Sequence, residues 1–294
     1  MPSLQNIRRK IASVKNTQKV TKAMKMVAAA KLRRSQDRIQ AARPYAQQLA
    51  EVLRNLATGI DPLDHPLFLM RDPKTVELLV VTSDRGLCGA YNANVLRRAL
   101  EVIRGYEARG IQVRLTLVGK KGRDFLQRRG YTPQQAWTSL LDRLTYPQAA
   151  EIARGMIERF LNASNDGAEL IYTEFHSALR QRVTASRLIP IERGSEGENG
   201  KAGQEMTQGS DTLFEPSREK VLADLLPHHI EVQLFRALLE SAASEMGARM
   251  TAMDSATRNA GEMINRLTLT YNKTRQAVIT KELMDIVGGA EALK

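Results

Sequence analysis

Apolar residues recur at alternating intervals of three and four along the first 57 residues of this 294-residue chain. Twelve of the sixteen repeat positions are apolar, and three of the four polar ones lie between 18 and 25. The positions are Leu4, Ile7, Ile11, Val14, Gln18, Thr21, Lys25, Ala28, Leu32, Ser35, Ile39, Ala42, Ala46, Leu49, Leu53 and Leu56. A repeat of about 3.5 residues held over this length predicts a coiled-coil helix over 3–57.

The last part of the chain carries a second repeat of the same kind, in which ten of thirteen positions are apolar. Its positions are Phe235, Leu239, Ala242, Met246, Arg249, Met253, Ala256, Ala260, Met263, Leu267, Thr270, Thr274 and Ala277. It predicts a helix over 228–287 that begins after Pro227 and ends at Gly288-Gly289. A lone helix of 60 residues is poorly stable in water, so we expect the two helices to pair antiparallel.

The chain between the two helices alternates strand and helix patterns. Prolines mark 59–74 as a linker, and Val76–Thr82 is apolar enough for a strand that is buried on both faces. Further strands are predicted at 113–118, 170–175 and 183–191, with helices at 92–108, 122–129 and 147–161. The fold class is therefore α/β, with a long antiparallel coiled coil of the terminal helices and a Rossmann-like, mostly parallel domain. The expected ranges are 1–58, 59–74, 75–226 with a mobile glycine-rich loop at 194–209, and 227–294.

Charge is distributed unevenly along the chain. Residues 1–54 hold 13 Lys and Arg but only two acids, which gives +11 out of a net +12 for the whole chain. The partner of the first helix is therefore expected to be anionic: a nucleic acid, a lipid surface or acidic loops of a protein. A solvated basic face is the alternative, and composition does not distinguish these.

No convincing catalytic, cofactor or metal site emerges from the sequence. The single cysteine, Cys88, excludes a disulfide within the chain. The turn after the first strand lacks the glycine spacing of dinucleotide- and nucleotide-binding loops, and so does Gly119-Lys-Lys-Gly122. A Cys88–His176 nucleophile pair and a metal at His228-His229 are both weaker interpretations than structural roles.

Several stretches resemble the gamma subunit of rotary F-type ATP synthase. They are IASVKNTQKVTKAM at 11–24, MVAAAK at 26–31, DRGLCG at 84–89, ARMTAM at 248–253 and MINRLTLTYNKTRQAVITKEL at 263–283. They lie in order over nearly the whole chain, which makes the combination specific.

The resemblance implies a central stalk that transmits rotation of the membrane c-ring to the catalytic β subunits and does no bond chemistry itself. The implied partners are three α and three β subunits, the epsilon subunit and the c-ring, with no cofactor, nucleic acid or small-molecule substrate. The implied location is the cytoplasmic face of a bacterial inner membrane, or a thylakoid membrane, as a peripheral part of the complex. Two alternatives remain: a coiled-coil scaffold or nucleic-acid adaptor, and an oxidoreductase that uses the α/β region.

The resemblance also assigns roles to particular residues. It implies β-subunit contacts at Met24, Arg249, Gln276 and Thr280. Arg249 can pair with a carboxylate through two hydrogen bonds, which Met24 cannot. The alternative for Arg249 is a residue of the helix seam whose charged end reaches solvent. The apolar end of the chain, with Val287, Ala290 and Leu293, is expected to lie as a tip in the α/β ring. The residues Asp84, Arg85, Gly86 and Gly89 are expected to form a structural turn of the α/β domain.

Overall fold

A computed structural model describes residues 3–57, 65–191 and 217–292. In chain order its elements are α1 (Leu4–Ala57), β1 (Thr75–Val81), α2 (Tyr91–Glu107), β2 (Gln112–Val118), α3 (Lys120–Gln127), β3 (Gln135–Trp137), α4 (Tyr146–Leu161), β4 (Gly167–Phe175), β5 (Gln181–Ile189) and α5 (Arg218–Ala292). Short 3-10 turns occupy Pro66–Phe68 and Leu141–Arg143. The predicted loop at 194–209 and part of the predicted linker lie outside the described residues.

The chain divides into two compact units. The helical unit comprises Met1–Ala30 and Arg249–Lys294, and the α/β unit comprises Lys31–Ala248. Both α1 and α5 therefore contribute one part to each unit. The domain ranges inferred from the sequence remain predictions. They follow the ends of predicted helices and strands, whereas the two units are defined by their compactness.

The α/β unit is built on one sheet with the strand order β3-β2-β1-β4-β5. The first four strands are parallel to their neighbours, and β5 pairs antiparallel with β4. This confirms the mostly parallel sheet. Strand β3 was not predicted, because three residues after Pro133 carry too little pattern to be recognised as a strand.

Both faces of the sheet are covered, as the apolar run of β1 predicts. Leu78 and Val80 point to one side and pack with α2, α3 and β2 residues. Leu79 and Val81 point to the other side and join a core formed with α1, α4 and α5. All four side chains are fully buried, so β1 is the central strand that both layers require.

Helix α5 is longer than expected at both ends. It begins at Arg218, so Pro227 lies inside the helix rather than before it. Proline removes one backbone hydrogen bond, but Leu222 and Leu226 are buried in the main core and keep the preceding turns in place. The helix also continues through Gly288-Gly289 to Ala292, so the predicted termination there was wrong.

Candidate partner-binding surfaces

Within the helical unit, the two long helices pack side by side in opposite directions. Gln18 donates to the Thr257 carbonyl at 3.4 Å, and Lys25 lies 2.6 Å from Asp254, so the partner number falls as the α1 number rises. The seam between them is closed by the buried side chains of Ile7, Thr21, Ala28, Met253 and Ala260. The antiparallel pairing is therefore confirmed inside this unit.

The middle of this helix pair is polar. The Thr257 hydroxyl donates to the Thr21 hydroxyl at 2.8 Å, and Thr21 donates to the Gln18 carbonyl. The Lys25 ammonium donates to Asp254 and holds the pKa of that carboxyl below its usual range. Both partners of this ion pair are partly exposed to solvent, so it contributes to register more than to stability.

The end of α5 continues beyond this pairing. Thr274 is the last half-buried position, and every described side chain after it is exposed. Many of these exposed side chains are large and apolar, namely Val278, Ile279, Leu283, Met284, Ile286 and Val287. A cluster of exposed apolar side chains this large is typical of a surface that a partner covers.

The predicted tip residues belong to this free end. Val287 is 53% exposed, and Ala290 lies in the last turns of the helix. Leu293 lies outside the described residues.

The four predicted β-subunit contacts do not form one cluster. Gln276 and Thr280 are exposed and lie one turn apart on α5, so they share a face. Arg249 lies 27 residues before Gln276, which is about 40 Å along a helix. Met24 and Arg249 are both half-buried. Because Lys25 contacts Asp254, Met24 and Arg249 lie at similar heights along the axis of the helix pair. The predicted contacts therefore form two separate sites on the helical unit.

A basic face accompanies these sites. Arg8, Arg9, Lys15, Lys19 and Lys22 are exposed on α1, and the helix has no acidic residue before Asp37. Such a run attracts an anionic partner over a distance of roughly a Debye length, about 8 Å at physiological salt. The charge therefore favours acidic protein loops or another anionic surface as the neighbour of this helix.

In the α/β unit, the turn after β1 joins three loops at the carboxyl ends of the parallel strands. The Asp84 carboxylate accepts from the Lys120 and Ser139 amides, each at 3.0 Å. Gly89 has φ 57°, a conformation that favours glycine. Arg85 and Gly86 lie at the centre of the turn, and the neighbouring Leu87 is 64% exposed with φ 64°.

The glycines at 119 and 122 are required for packing. A Cβ at Gly119 would lie 2.1 Å from the Thr82 carbonyl oxygen, and one at Gly122 would lie 2.6 Å from the Thr82 hydroxyl. The Gly122 amide donates to that hydroxyl at 2.9 Å. Because Thr82 is fully buried there, these glycines are explained by the approach of α3 to the end of β1 rather than by a phosphate.

The candidate reactive side chains have structural partners. Cys88 is buried and accepts from the Asn92 amide at 3.3 Å, whereas His176 lies 3.4 Å from Glu174. His229 is buried and lies 2.8 Å from Gln233. No group of three or more metal-ligating side chains is found among the described residues.

Two polar clusters were missed by the sequence analysis. In the first, His228 lies between Tyr45 and Tyr146, at 2.5 and 2.9 Å, and Tyr146 donates to the buried Glu231. Burial, reinforced by Glu231, raises the pKa of Tyr146.

The second polar cluster is centred on Glu77, which is fully buried. A single charged residue inside the apolar pattern of β1 was the available signal for Glu77.

The chain is similar to known proteins over its full length. A family model described as ATP synthase matches residues 3–293. Proteins named "ATP synthase gamma chain" are similar over 100% of both chains, with 47% identity for Desulforamulus reducens and for Geobacter sp. strain M21.

Solved structures of mitochondrial ATP synthases show the same fold. A chain of the Tetrahymena thermophila central stalk and c-ring structure has 27% identity and a TM-score of 0.59, covering 81% of this chain and 99% of that one. A chain from Euglena gracilis in rotational state 3 has 23% identity and a TM-score of 0.71, covering 99% and 94%. Within residues 3–57, 65–191 and 217–292, no helix is long and apolar enough to cross a membrane.

Proposed function

Because the chain belongs to the family of ATP synthase gamma chains, we propose that it is the central rotor shaft of an F-type ATP synthase. In this function it transmits the rotation of the membrane c-ring to the catalytic β subunits. The scaffold, nucleic-acid adaptor and oxidoreductase alternatives have no support from the relatives.

The observation that carries this proposal is the free end of α5. A helix that leaves its partner after Thr274 and then exposes six large apolar side chains needs a surrounding apolar surface. A ring of three α and three β subunits supplies one. Val287, Ala290 and Leu293 are the residues we place in it.

The contacts with β are proposed at Met24, Arg249, Gln276 and Thr280. Met24 and Arg249 form the pair of contacts near the basic face of α1. The positive charge of that face favours acidic loops of β as the neighbours of this pair. Long-range attraction between charges does not require one fixed register. It therefore suits a shaft that meets each β subunit in turn.

The remaining partners are the epsilon subunit and the c-ring, which would contact the α/β unit. Two similarities support this assignment: the full-length relatives are gamma chains, and the Tetrahymena chain comes from a structure of central stalk and c-ring. The chain itself is proposed to be non-catalytic, since the buried Cys88 with its Asn92 hydrogen bond and the packed glycines beside Thr82 suit structural roles. Its place is peripheral, at the cytoplasmic face of a bacterial inner membrane.

Reconstitution tests the proposal. The full chain is combined with its cognate α and β subunits, and ATP hydrolysis and copurification are measured. Leu179 is 86% exposed, so a Leu179→Cys variant in a Cys88→Ser background can carry a bead for single-molecule rotation. We expect a stable complex, faster turnover than α and β alone, and rotation of the bead. A complex that turns over ATP normally while the bead stays still would refute the rotor function.

The contact residues are tested in the same complex. Arg249→Ala is expected to lower turnover about tenfold or more, because a paired guanidinium contributes roughly 1.5–3 kcal/mol. Arg266→Ala is the matched control, since Arg266 is an exposed arginine on the same helix. Equal losses in the two variants would argue against a specific role for Arg249.

A further inference from the structure

A cavity of about 200 Å³ opens at the amino-terminal edge of the parallel strands, opposite the Asp84 turn. Its apolar wall includes Val76, Ala168 and Ile189, all of which are buried. Its polar wall carries three arginines, Arg71, Arg109 and Arg187. None of the residues assigned to rotor contacts lines this cavity.

Two of the arginines are held in position by aromatic rings. The Arg71 guanidinium lies 4.5 Å from the centre of the Phe160 ring, and the Arg109 guanidinium lies 4.6 Å from that of Tyr106. Each also donates one hydrogen bond to a backbone carbonyl, Arg71 to Phe160 at 2.9 Å and Arg109 to Gly105 at 3.1 Å. Stacking leaves the in-plane N–H groups of a guanidinium available, and five such groups exist on each arginine.

The two acids of the cavity wall have donors of their own. Asp166 accepts from the Lys74 and Thr75 amides, both at 2.8 Å. Glu169 accepts from the Tyr106 hydroxyl. Burial and this bond raise the pKa of Tyr106 to about 12, so the hydroxyl stays protonated as a donor. Three guanidinium groups against two carboxylates leave the wall with a net charge of +1.

We propose that this cavity binds a small phosphate-bearing anion. Arg71 and Arg109 would contact its oxygens, Arg187 would add a third positive charge at the rim, and the apolar wall would accept the body of the ligand. Guanidinium groups match phosphate oxygens with paired hydrogen bonds. Because the two arginines are already ordered by their rings and carbonyls, little side-chain entropy is lost when the anion binds.

Calorimetric titration of the full chain with inorganic pyrophosphate tests the proposal, with potassium chloride at matched ionic strength as the blank. We expect saturable binding with a Kd of about 0.1–1 mM. The Arg71→Gln/Arg109→Gln variant is expected to bind roughly 100-fold more weakly, about tenfold for each arginine. Arg97→Gln/Arg104→Gln is the control, since it removes the same charge from exposed positions of α2 outside the cavity.

A second measurement needs no variant. Phenylglyoxal modifies accessible arginines, and mass spectrometry then reports each site separately. Pyrophosphate is expected to protect Arg71 and Arg109 and to leave Arg97 and Arg104 reactive. The proposal is overturned if no saturable heat appears, if both double variants lose affinity equally, or if the anion protects neither cavity arginine. None of these outcomes bears on rotation, so the rotor function stands or falls separately.

Discussion

The carboxylate of Glu77 is buried in the central strand and is held by four hydrogen bonds. Arg159 donates to it twice, at 2.7 and 2.9 Å, while Asn165 and Thr116 donate at 2.6 and 2.7 Å. Glu77 is fully buried, and the Arg159 side chain is only 16% exposed. The four bonds join β1, β2, α4 and the loop before β4.

Replacing Glu77 by alanine leaves the Arg159 charge without its acid and two further donors without an acceptor. Removing one partner of a buried ion pair costs about 3–5 kcal/mol. For a unit of this size, each kcal/mol lowers Tm by about 2–4 °C, so the expected fall is roughly 6–20 °C. The Arg159→Ala variant is expected to be similarly unstable, and the double variant should recover part of the loss, with a coupling of about 2 kcal/mol or more.

Urea unfolding followed by tryptophan fluorescence measures this effect in the α/β unit. The chain has one tryptophan, Trp137, which pairs with Val118 in the same sheet. Glu101→Ala is the matched control, because its pair with Arg98 is about half exposed on both sides. That variant should lose less than about 0.5 kcal/mol. A loss below 1 kcal/mol for Glu77→Ala, or a coupling near zero, would show that the buried network does not hold the sheet and α4 together.

Three further predictions concern other parts of the molecule. Deleting residues from Asp285 onward should leave the urea midpoint unchanged and lower turnover in the reconstituted complex, because the described side chains in that segment are exposed; a large loss of helicity by circular dichroism would contradict this. Gly119→Ala should cost several kcal/mol more in urea unfolding than Gly130→Ala, since both have positive φ but only Gly119 has an atom, 2.1 Å away, that a Cβ would strike. The folded-state pKa of Asp254 lies below its unfolded value, so its contribution to the helix pair is present above the unfolded pKa and is lost as pH falls through the folded one. Carboxyl NMR titration should show this lowered pKa and its return towards normal in Lys25→Met, and no change in that variant would refute the pairing.

The interior of the first helix could be predicted from the sequence. Every one of its sixteen repeat positions from Leu4 to Leu56 is buried or half-buried, including the polar Gln18, Thr21 and Lys25. The reason is physical: a long run of large apolar side chains at 3.5-residue spacing has only one face to bury. The polar residues of the repeat lie on the same buried face because the helix continues without a break through them.

The buried face of the second helix was harder to predict, because small and apolar residues occur on more than one of its faces. Met253, Ala260, Leu267 and Thr274 lie in the seam as expected, but Met263 is 52% exposed, and Thr270 and Ala277 are exposed as well. The half-buried positions are instead Ile264 and Tyr271, each one residue after the exposed Met263 and Thr270. Small and amphipathic residues occupy both of these sets of positions, so the periodicity alone did not show which set is buried.

Polar networks escaped prediction for a different reason. The donors of Glu77 come from residues 39 to 88 positions away, and Tyr45 is 183 residues from His228. Such partners meet only after the sheet and helices are in place, and local periodicity carries no information about them. The elements could therefore be predicted more fully than the side-chain contacts that join them.

The burial of α5 suggests how one helix serves both ends of the proposed mechanism. All eleven residues from Ala237 to Gly247 are buried in the α/β unit, and Ser241 and Ser244 bond the backbone of Thr173 in β4 at 3.3 and 3.2 Å. Hydrogen bonds are directional, so they oppose rotation of the helix about its own axis and add to the resistance of the close packing around it. Residues after Thr274 have no such anchor within the described chain. A rotor needs this combination, because torque must enter through fixed contacts and leave through a surface that changes neighbours.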